Sequence, residues 1–549
     1  MAEKASKMKK LEQTRDAVYF LAQHQQRLLD VLTAQDSVFT AKDVQHVLQH
    51  KQFGLKKDQR EKVAALLFAD PKNGVIALHG KANKDPVYST KELLALEQGL
   101  KQKVQNLAAA PIAAAPAAAV EKAKALYKSR RDESGKPAGK EHDAAIESAL
   151  SAGGLKVVVG PPGAGKSTLM QSIADGLETA GMARSNILAV APTDKATGGF
   201  ANKLGVAGLT IDDVLSPKGA AAVPKGGILF VDEGGMLGSR KMDKLLDLAT
   251  QQNAKIIMNG DHRQIPAQDM GDPFRAMLDW VPQSVSKLTA IGRQKSTDDR
   301  AAINALRQGD AQTAVESFSM RGMVKWKKGE DDVLKNVAKR FVAYRQEAGN
   351  ALKSALVVVP DAKTADKANA VIRARMEKEG ALGRSVTVQT PKGDSVALAQ
   401  GDQIMLAGKI VARENGKPLD LPRGTTGIIT GQGDGALDVV LDNKKTVQIA
   451  TNQPLAVKHA YALSVRESQG VSVKRSFVAL TDKMNGPEIT VALSRHKKQT
   501  SLVVDKKKFK DEKALVAAFS EFPKKQMATD FMKKMAILAQ GAPGRRAAL

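Results

Sequence analysis

The chain has 549 residues, 43% of them hydrophobic, so a sizeable core can form and three or four domains at about 150 residues each are expected. Lys and Arg number 84 against 58 Asp and Glu, and the net charge of +26 points to a polyanion as partner, nucleic acid first and an anionic membrane surface second. Cysteine is absent, which excludes disulfides, thiolate metal sites and cysteine catalysis. With no apolar signal core at the start and no run of ~20 apolar residues, a soluble, cytoplasmic protein without membrane insertion is expected.

Residues 1–106 read as a mostly helical accessory domain. Leu21, Leu28, Leu29 and Leu32 recur at helical spacing, Thr40 is placed to cap a helix running to Leu48, and another helix starts near Thr90. Residues 107–139 read as a linker: they open as LAAAPIAAAPAAAV, Pro111 and Pro116 each interrupt a helix, and a basic polar stretch follows. From there short β-branched runs at 156–159, 187–190, 228–231, 255–258 and 355–359 alternate with helical segments. That pattern predicts parallel α/β sheets, with a first lobe over 140–293 and the first part of a second over 294–383. Over 384–457 the brief strands 386–388, 403–406, 427–429, 437–441 and 446–449, separated by Gly- and Asp-rich turns, predict a small antiparallel barrel. The second lobe resumes over 458–505 with strands at 477–480 and 500–504, and the basic tail 506–549 is expected to be helical to about Leu538.

The strongest chemical signal is Gly160-Pro161-Pro162-Gly163-Ala164-Gly165-Lys166-Ser167-Thr168, which fits G-x-x-x-x-G-K-[ST] behind a strand and ahead of a helix. Its glycines let backbone N–H groups close around the phosphates of ATP, and the helix N-terminus adds partial positive charge. Lys166 is expected to reach the β- and γ-phosphates and Ser167 to ligate Mg²⁺. Four apolar residues then end in Asp232-Glu233, placing two carboxylates at the C-terminal edge of a parallel strand. Asp232 is expected to hold Mg²⁺ and Glu233 to orient or deprotonate the attacking water. Gln264, in Gly260-Asp261-His262-Arg263-Gln264, is a candidate to report the γ-phosphate. Arg293 and Arg495 are candidates for the charge that completes this site when the lobes close. Each feature alone has a bland reading, as a common strand end, an ordinary loop or a solvated arginine; only the ordered set promotes them.

That order resembles superfamily 1 DNA helicases of the RecD-like branch. After the phosphate loop come Ala191-Pro192-Thr193-Asp194-Lys195-Ala196, Val231-Asp232-Glu233, Gly260 to Gln264 and Arg293-Gln294. Last are Ala462-Leu463-Ser464-Val465-Arg466-Glu467-Ser468-Gln469-Gly470 and Val491-Ala492-Leu493-Ser494-Arg495. Within the branch the chain looks most like the helicase part of conjugative relaxase–helicases, whose segment ahead of the motor Ser37-Val38-Phe39-Thr40 and Tyr88-Ser89-Thr90 also resemble. The resemblance implies an α/β protein with two RecA-like P-loop lobes, an SH3-like barrel inserted into the second, ATP in the cleft and single-stranded DNA across the top. It implies DNA contacts at Thr193, Lys195, Ser464, Arg466 and Ser468, nucleotide contacts at Gln469 and Gly470, and a base-reading position at His142, where the family carries glutamine.

The expected function is an ATP-dependent 5′-to-3′ DNA helicase or translocase, a monomeric motor in conjugative plasmid transfer with a relaxase or secretion machinery as partner. A repair, recombination or phage replication helicase is the alternative. A DNA-binding loader with a decayed ATPase is the reading from another class, motivated by His142 and by Glu467, an acid where the family is basic. Gly234-Gly235 also stand where a less flexible pair is usual. No His-x-His cluster accompanies a tyrosine nucleophile, so no DNA nicking is expected. Lys506-Lys507-Lys508, Lys524-Lys525, Lys533-Lys534 and Arg545-Arg546 are nucleic-acid contacts or, more ordinarily, solvated faces.

Overall fold

Short apolar strands covered by helices on both faces build the first lobe around a six-stranded parallel sheet. Its order is Ala207–Thr210, Ile187–Ala191, Ile228–Val231, Lys255–Gly260, Leu155–Val159 and Val285–Lys287. The four inner strands are buried along their whole length, which is why their sequences are continuous apolar runs rather than alternating ones. Lys255–Gly260 lies between Leu155–Val159 and Ile228–Val231, so the phosphate loop and Asp232-Glu233 leave the same end of the sheet. This computed structural model describes residues 2–69, 71–78, 86–133, 139–289, 292–433, 435–523 and 525–532.

The second lobe is a five-stranded parallel sheet in the order Val324–Lys327, His496–Asp505, Val473–Leu480, Ala355–Val359 and Ala462–Ser464. Between the helix Ala362–Lys378 and the strand Ala462–Ser464 the chain inserts a hairpin and a seven-stranded antiparallel sheet. Inward residues alternate along its strands, as in Leu437, Val439 and Leu441 of Ala436–Leu441. A buried polar knot roots this insertion: the Asp402 carboxylate accepts from the Tyr461 hydroxyl, from the Ala399 N–H at 2.7 Å and from Arg373 Nε at 3.3 Å.

At the N-terminus Thr40 caps the helix Ala41–Leu48 in a reciprocal box with Asp43, and Thr90 caps Lys91–Ala108. The region is helical but also carries a three-stranded antiparallel sheet, Phe39–Thr40, Val87–Thr90 and Val75–Leu78. The boundary expected at 106/107 falls inside the helix Lys91–Ala108, whose Leu100, Val104 and Leu107 belong to the first lobe's core. The expected linker is corrected as well. Its second half is the helix Ala117–Glu133, packed on the helix Lys166–Thr179 that follows the phosphate loop. The two helices approach so closely that a Cβ on Gly176 would lie 2.9 Å from Ala123 Cβ.

The tail differs from the expected continuous helix. Glu512–Phe519 forms a helix of eight residues, Pro523 follows in a non-helical stretch, and residues 528–532 are helical again. The chain then returns to the first lobe, where Thr529 N–H donates to Glu97 at 3.0 Å and Asp530 pairs with Arg275 at 3.0 Å. Lys524, Lys533-Lys534, Arg545-Arg546 and the helix toward Leu538 lie outside the described residues. Among the described residues no helix is long and apolar enough to cross a membrane.

Candidate functional site

The phosphate loop joins the buried strand Leu155–Val159 to the helix beginning at Lys166. Gly163 and Gly165 hold φ of +85° and +98°, the left-handed region that only glycine enters freely. Both are also crowded: a Cβ on Gly163 would lie 2.7 Å from Arg293 Cβ, and one on Gly165 would strike the Tyr127 hydroxyl. Lys166 Nζ donates to the carbonyls of Gly160 at 2.6 Å and Pro161 at 3.1 Å, so the ammonium lies over the loop. Ser167 is half-buried, and Thr168 Oγ1 accepts from Lys203 Nζ at 3.1 Å.

Asp232 and Glu233 stand where the strand Ile228–Val231 ends. Glu233 has φ +53°, and its N–H donates to Asp232 Oδ1 at 3.0 Å. Burial raises the Asp232 carboxyl above the usual range, opposed by Lys166. Burial and the adjacent Asp232 charge push Glu233 up to about 7, with Lys166 again opposing. A carboxylate tuned near neutrality is suited to take a proton from water. Gly234 follows because there is no room for a side chain: a Cβ there would lie 2.6 Å from the Met258 sulfur.

The segment that crosses to the second lobe, and that lobe itself, supply further groups. Arg293 Nη1 donates to the Ser494 carbonyl at 3.2 Å, and Gln294 Nε2 donates to the carbonyls of Ser494 at 3.1 Å and His496 at 3.2 Å. Burial pulls the Arg293 guanidinium down to about 10, offset by Glu233. Burial likewise lowers Arg495, whose neighbours include Arg293 and Glu233. Arg293 thus lies between the loop and Arg495, with Glu233 within electrostatic reach of both. Arg495 spends most of its donors on its own lobe, on the carbonyls of Val491 and Ser468 and the Ser494 hydroxyl. Gln264 makes the direct bridge: it donates to Asp261 at 3.2 Å and accepts from Gln469 Nε2 at 3.0 Å. Gly470 beside it is exposed.

The base-reading expectation for His142 is corrected. Its ring is buried, Nδ1 accepts from the Gly139 N–H at 3.2 Å, and Nε2 lies 3.0 Å from the Ala164 carbonyl. Neither nitrogen remains for a base, and the ring instead ties the phosphate loop to the helix Lys140–Leu150 while stacking on Tyr127.

Two of the expected strand contacts are corrected too. The buried Ser468 hydroxyl donates to the Val465 carbonyl at 2.8 Å, and the buried Ser464 hydroxyl donates to Glu467 at 2.8 Å. Neither is presented to a strand. Glu467 also accepts the Ser464 N–H at 3.1 Å and pairs with Lys458 at 2.5 Å, which hold its carboxyl below the usual range against burial. The acid in place of a base is thus a capping residue with its own counter-ion. Thr193 is exposed and caps the helix Asp194–Leu204, and Arg466 is exposed. Lys195 reaches toward the insertion, 3.4 Å from Thr426 Oγ1 and 3.8 Å from Asp442. Lys525 is taken by backbone carbonyls of Ala267, Gln268 and Asp269.

Sequence reasoning missed three groups. Arg307 forms a buried two-pronged pair with Asp261, but in the sequence it is one of many arginines. Tyr127 lies against Gly165 in a segment that reads as linker. Asn259 is wholly buried at the end of the strand beside Asp232, and its side chain helps hold that carboxyl down against burial. Ser167 and Asp232 supply hard-oxygen donors, the chemistry that suits Mg²⁺ held by few protein ligands plus phosphate. Among the described residues no cluster of three His, Cys, Asp or Glu forms a full protein cage.

The family described as an AAA domain matches residues 138–329. The loop geometry and this match define an ATP-binding P-loop ATPase domain, so the chain carries the machinery of an ATP-hydrolysing enzyme. The chain is similar to the probable conjugal transfer protein TraA of Sinorhizobium fredii, 22% identical over 516 residues, covering 92% of this chain and 44% of that protein. It is also similar to the ATP-dependent RecD2 DNA helicase of Deinococcus radiodurans, 32% identical over 161 residues, 28% of this chain and 22% of that one. Among solved structures it is similar to the Pif1 helicase from Candida albicans, with TM-score 0.47 and 15% identity over 73% of this chain and 99% of that chain. The chain spans less than half the length of either curated relative.

Proposed function

We propose that the chain is an ATP-driven motor on single-stranded DNA, of the superfamily 1 kind related to RecD and Pif1 helicases. The observation that supports this reading is Arg293 packed on Gly163 of the phosphate loop and bonded to the Ser494 carbonyl beside Arg495, with the Gln264–Gln469 bond joining the lobes. The loop N–H groups and Lys166 bind the triphosphate. Ser167 and Asp232 would hold Mg²⁺, which would neutralise phosphate charge. Glu233 accepts the proton of the attacking water. Arg293 and a re-aimed Arg495 stabilise the charge on the transferred phosphoryl group, and Gln264 passes its state to Gln469. Exposed Thr193 and Arg466, with Lys195 released from Asp442, contact the strand, and the antiparallel insertion acts as the SH3-like element beside it. Movement is 5′ to 3′.

The loader reading loses both of its supports, because His142 and Glu467 have structural partners in this chain. A general DNA helicase is therefore favoured. A role in conjugative transfer, beside a relaxase or secretion machinery, is the second reading, favoured by the likeness to the conjugal transfer protein along 92% of the chain. Steady-state ATPase of the wild type and Lys166→Ala, with and without single-stranded DNA, tests the motor, together with unwinding of a 5′-tailed duplex. Stimulation by DNA that vanishes in the variant is expected. Hydrolysis indifferent to DNA refutes the motor.

A further inference from the structure

The strand Val324–Lys327 is the outermost strand of the second lobe's sheet. Trp326 packs toward the core beneath the sheet, so Lys325 and Lys327 project from the opposite face, toward the helix Glu330–Glu347. There a cavity of about 220 Å³ is lined by Lys325, Trp326, Lys327, Asn336 and Arg340. Two polar atoms on one stripe of that helix are buried without a partner, Asn336 Oδ1 and Arg340 Nη1. Unpartnered buried polar atoms are uncommon in folded chains, and the amide's two ends are interchangeable in assignment, so Asn336 can present a donor.

The charge around the cavity itself is mainly positive. Arg340 and Arg475 both lie over the Phe477 ring, at 5.8 and 5.3 Å, and their mutual repulsion adds to burial in lowering Arg340. Of the nearby acids, Glu330 pairs with Lys367 at 2.9 Å and Asp505 accepts the N–H groups of Gly329 and Lys507, while Asp331 and Asp332 at the helix start are exposed to solvent. Beyond the cavity the positive row continues through exposed Lys328, Lys506 and Lys507, with the Lys506 N–H bonded to the Lys327 carbonyl at 2.7 Å. Lysines also guard free sheet edges against pairing, but that role needs neither a cavity nor orphaned donors behind them.

We infer that this outer edge of the second lobe is a second single-stranded nucleic-acid site, where Arg340 and Asn336 take one backbone phosphate and the lysine row takes its neighbours. The inference rests on the DNA-motor reading only for the identity of the polyanion. A single small anion would leave Lys328, Lys506 and Lys507 unused, which favours a polymer. The edge pairs with the far half of the strand His496–Asp505, roughly 25 Å along that strand from Arg495 at a rise of ~3.3 Å per residue, so it lies off the nucleotide cleft.

The test is binding of a fluorescein-labelled oligothymidylate to the full chain, by anisotropy, between about 50 and 200 mM salt. In Lys325→Ala/Lys327→Ala, affinity is expected to fall several-fold and the slope of log K against log salt to shrink by about 1.4, two contacts at ~0.7 each on a single strand. Arg340→Gln, which keeps a polar side chain at the ring, is expected to reduce the slope by ~0.7. Unchanged affinity and slope in both variants overturn the inference. So does an equal loss of inorganic phosphate binding by calorimetry, which would mark a small-anion pocket. ATPase stimulation measured on the same preparations separates the two claims. A shifted slope without stimulation in the wild type leaves the edge site standing and the motor refuted; intact stimulation with an unmoved slope removes the edge site alone.

Discussion

The buried pair of Asp261 and Arg307 gives the sharpest test of how the lobes are held. Asp261 leaves the first lobe's central strand, and Arg307 lies on the helix Thr297–Gln308, whose Ala302 and Leu306 belong to the second lobe's core. Burial alone would raise the Asp261 carboxyl; Arg307 outweighs it and holds the group below the usual range. A depressed carboxylate adds stability above its unfolded pKa of ~3.9 that is lost as pH falls. Arg307→Met removes the counter-ion and leaves a buried charge, at a cost of about 3–5 kcal/mol. At ~2–4 °C per kcal/mol for a cooperative unit of lobe size, the apparent Tm at pH 7 falls by at least ~6 °C. The sign of the pH dependence then reverses locally. In the variant Asp261 titrates above its unfolded value, so acid neutralises the stranded charge and the gap to wild type narrows from pH 7 toward pH 5. Asp261→Asn/Arg307→Met, lacking the charge, loses less than the single variant. Melts across that pH range decide it. A gap below ~1 kcal/mol, or one that does not change with pH, would show that the pair is a solvated surface bridge and that the lobes are joined elsewhere.

Three further outcomes follow from single contacts. Gln469→Ala removes the bond to Gln264; nucleotide affinity measured by titration should hold while DNA stimulation of hydrolysis falls about tenfold or more, the scale of a lost charge-reporting contact of ~1.4 kcal/mol. Tyr127→Phe removes a buried hydroxyl that has no partner, so stability should be unchanged or rise slightly, whereas Tyr127→Ala should cost about 3–5 kcal/mol through the cavity it leaves beside Gly165; a large loss in the Phe variant would reveal a hidden partner. Glu467→Lys restores the family's basic type but faces Lys458 and uncaps Ser464, and should lower stability by about 1–2 kcal/mol rather than tighten DNA binding.

The central strands of both sheets were legible because burial on two faces demands unbroken apolar runs, as in Val157, Val158 and Val159. Edge strands were not. Val324–Lys327 reads Val-Lys-Trp-Lys, and Ala207–Thr210 is half-exposed throughout. The helix Ala117–Glu133 hid for a different reason. Its buried stripe is Ala119, Ala123, Tyr127 and Arg131, and close packing against Gly176 requires the small residues that make the segment look like a spacer. In the site, the type of each residue told its chemistry but not its partner. Nothing in the sequence links Asp261 to Arg307 or Gln264 to a glutamine 205 positions away. Side-chain exposure was equally unreadable: Ser464 and Ser468 fit a motif, and their hydroxyls turn inward.

The short route between the phosphate loop and the second lobe explains how one event can move both. Arg293 Cβ rests on Gly163, and the next residue is pinned to the second lobe by Gln294, whose amide donates to the carbonyls on both sides of Arg495. Lys295 N–H then bonds the Lys497 carbonyl at 3.0 Å, so the crossing segment is zipped to the start of the strand His496–Asp505. Any displacement of the loop at Gly163 is therefore delivered within two residues to Arg495 and to a ten-residue strand spanning the lobe. The chain crosses back only after Phe519, where the tail is fixed to Glu97 and Arg275 of the N-terminal region and first lobe. Two tethers, one zipped and one strapped, confine lobe motion to rotation about the line that joins them. The Gln264–Gln469 bond and the Asp261–Arg307 pair are the contacts that such a rotation must break or keep together.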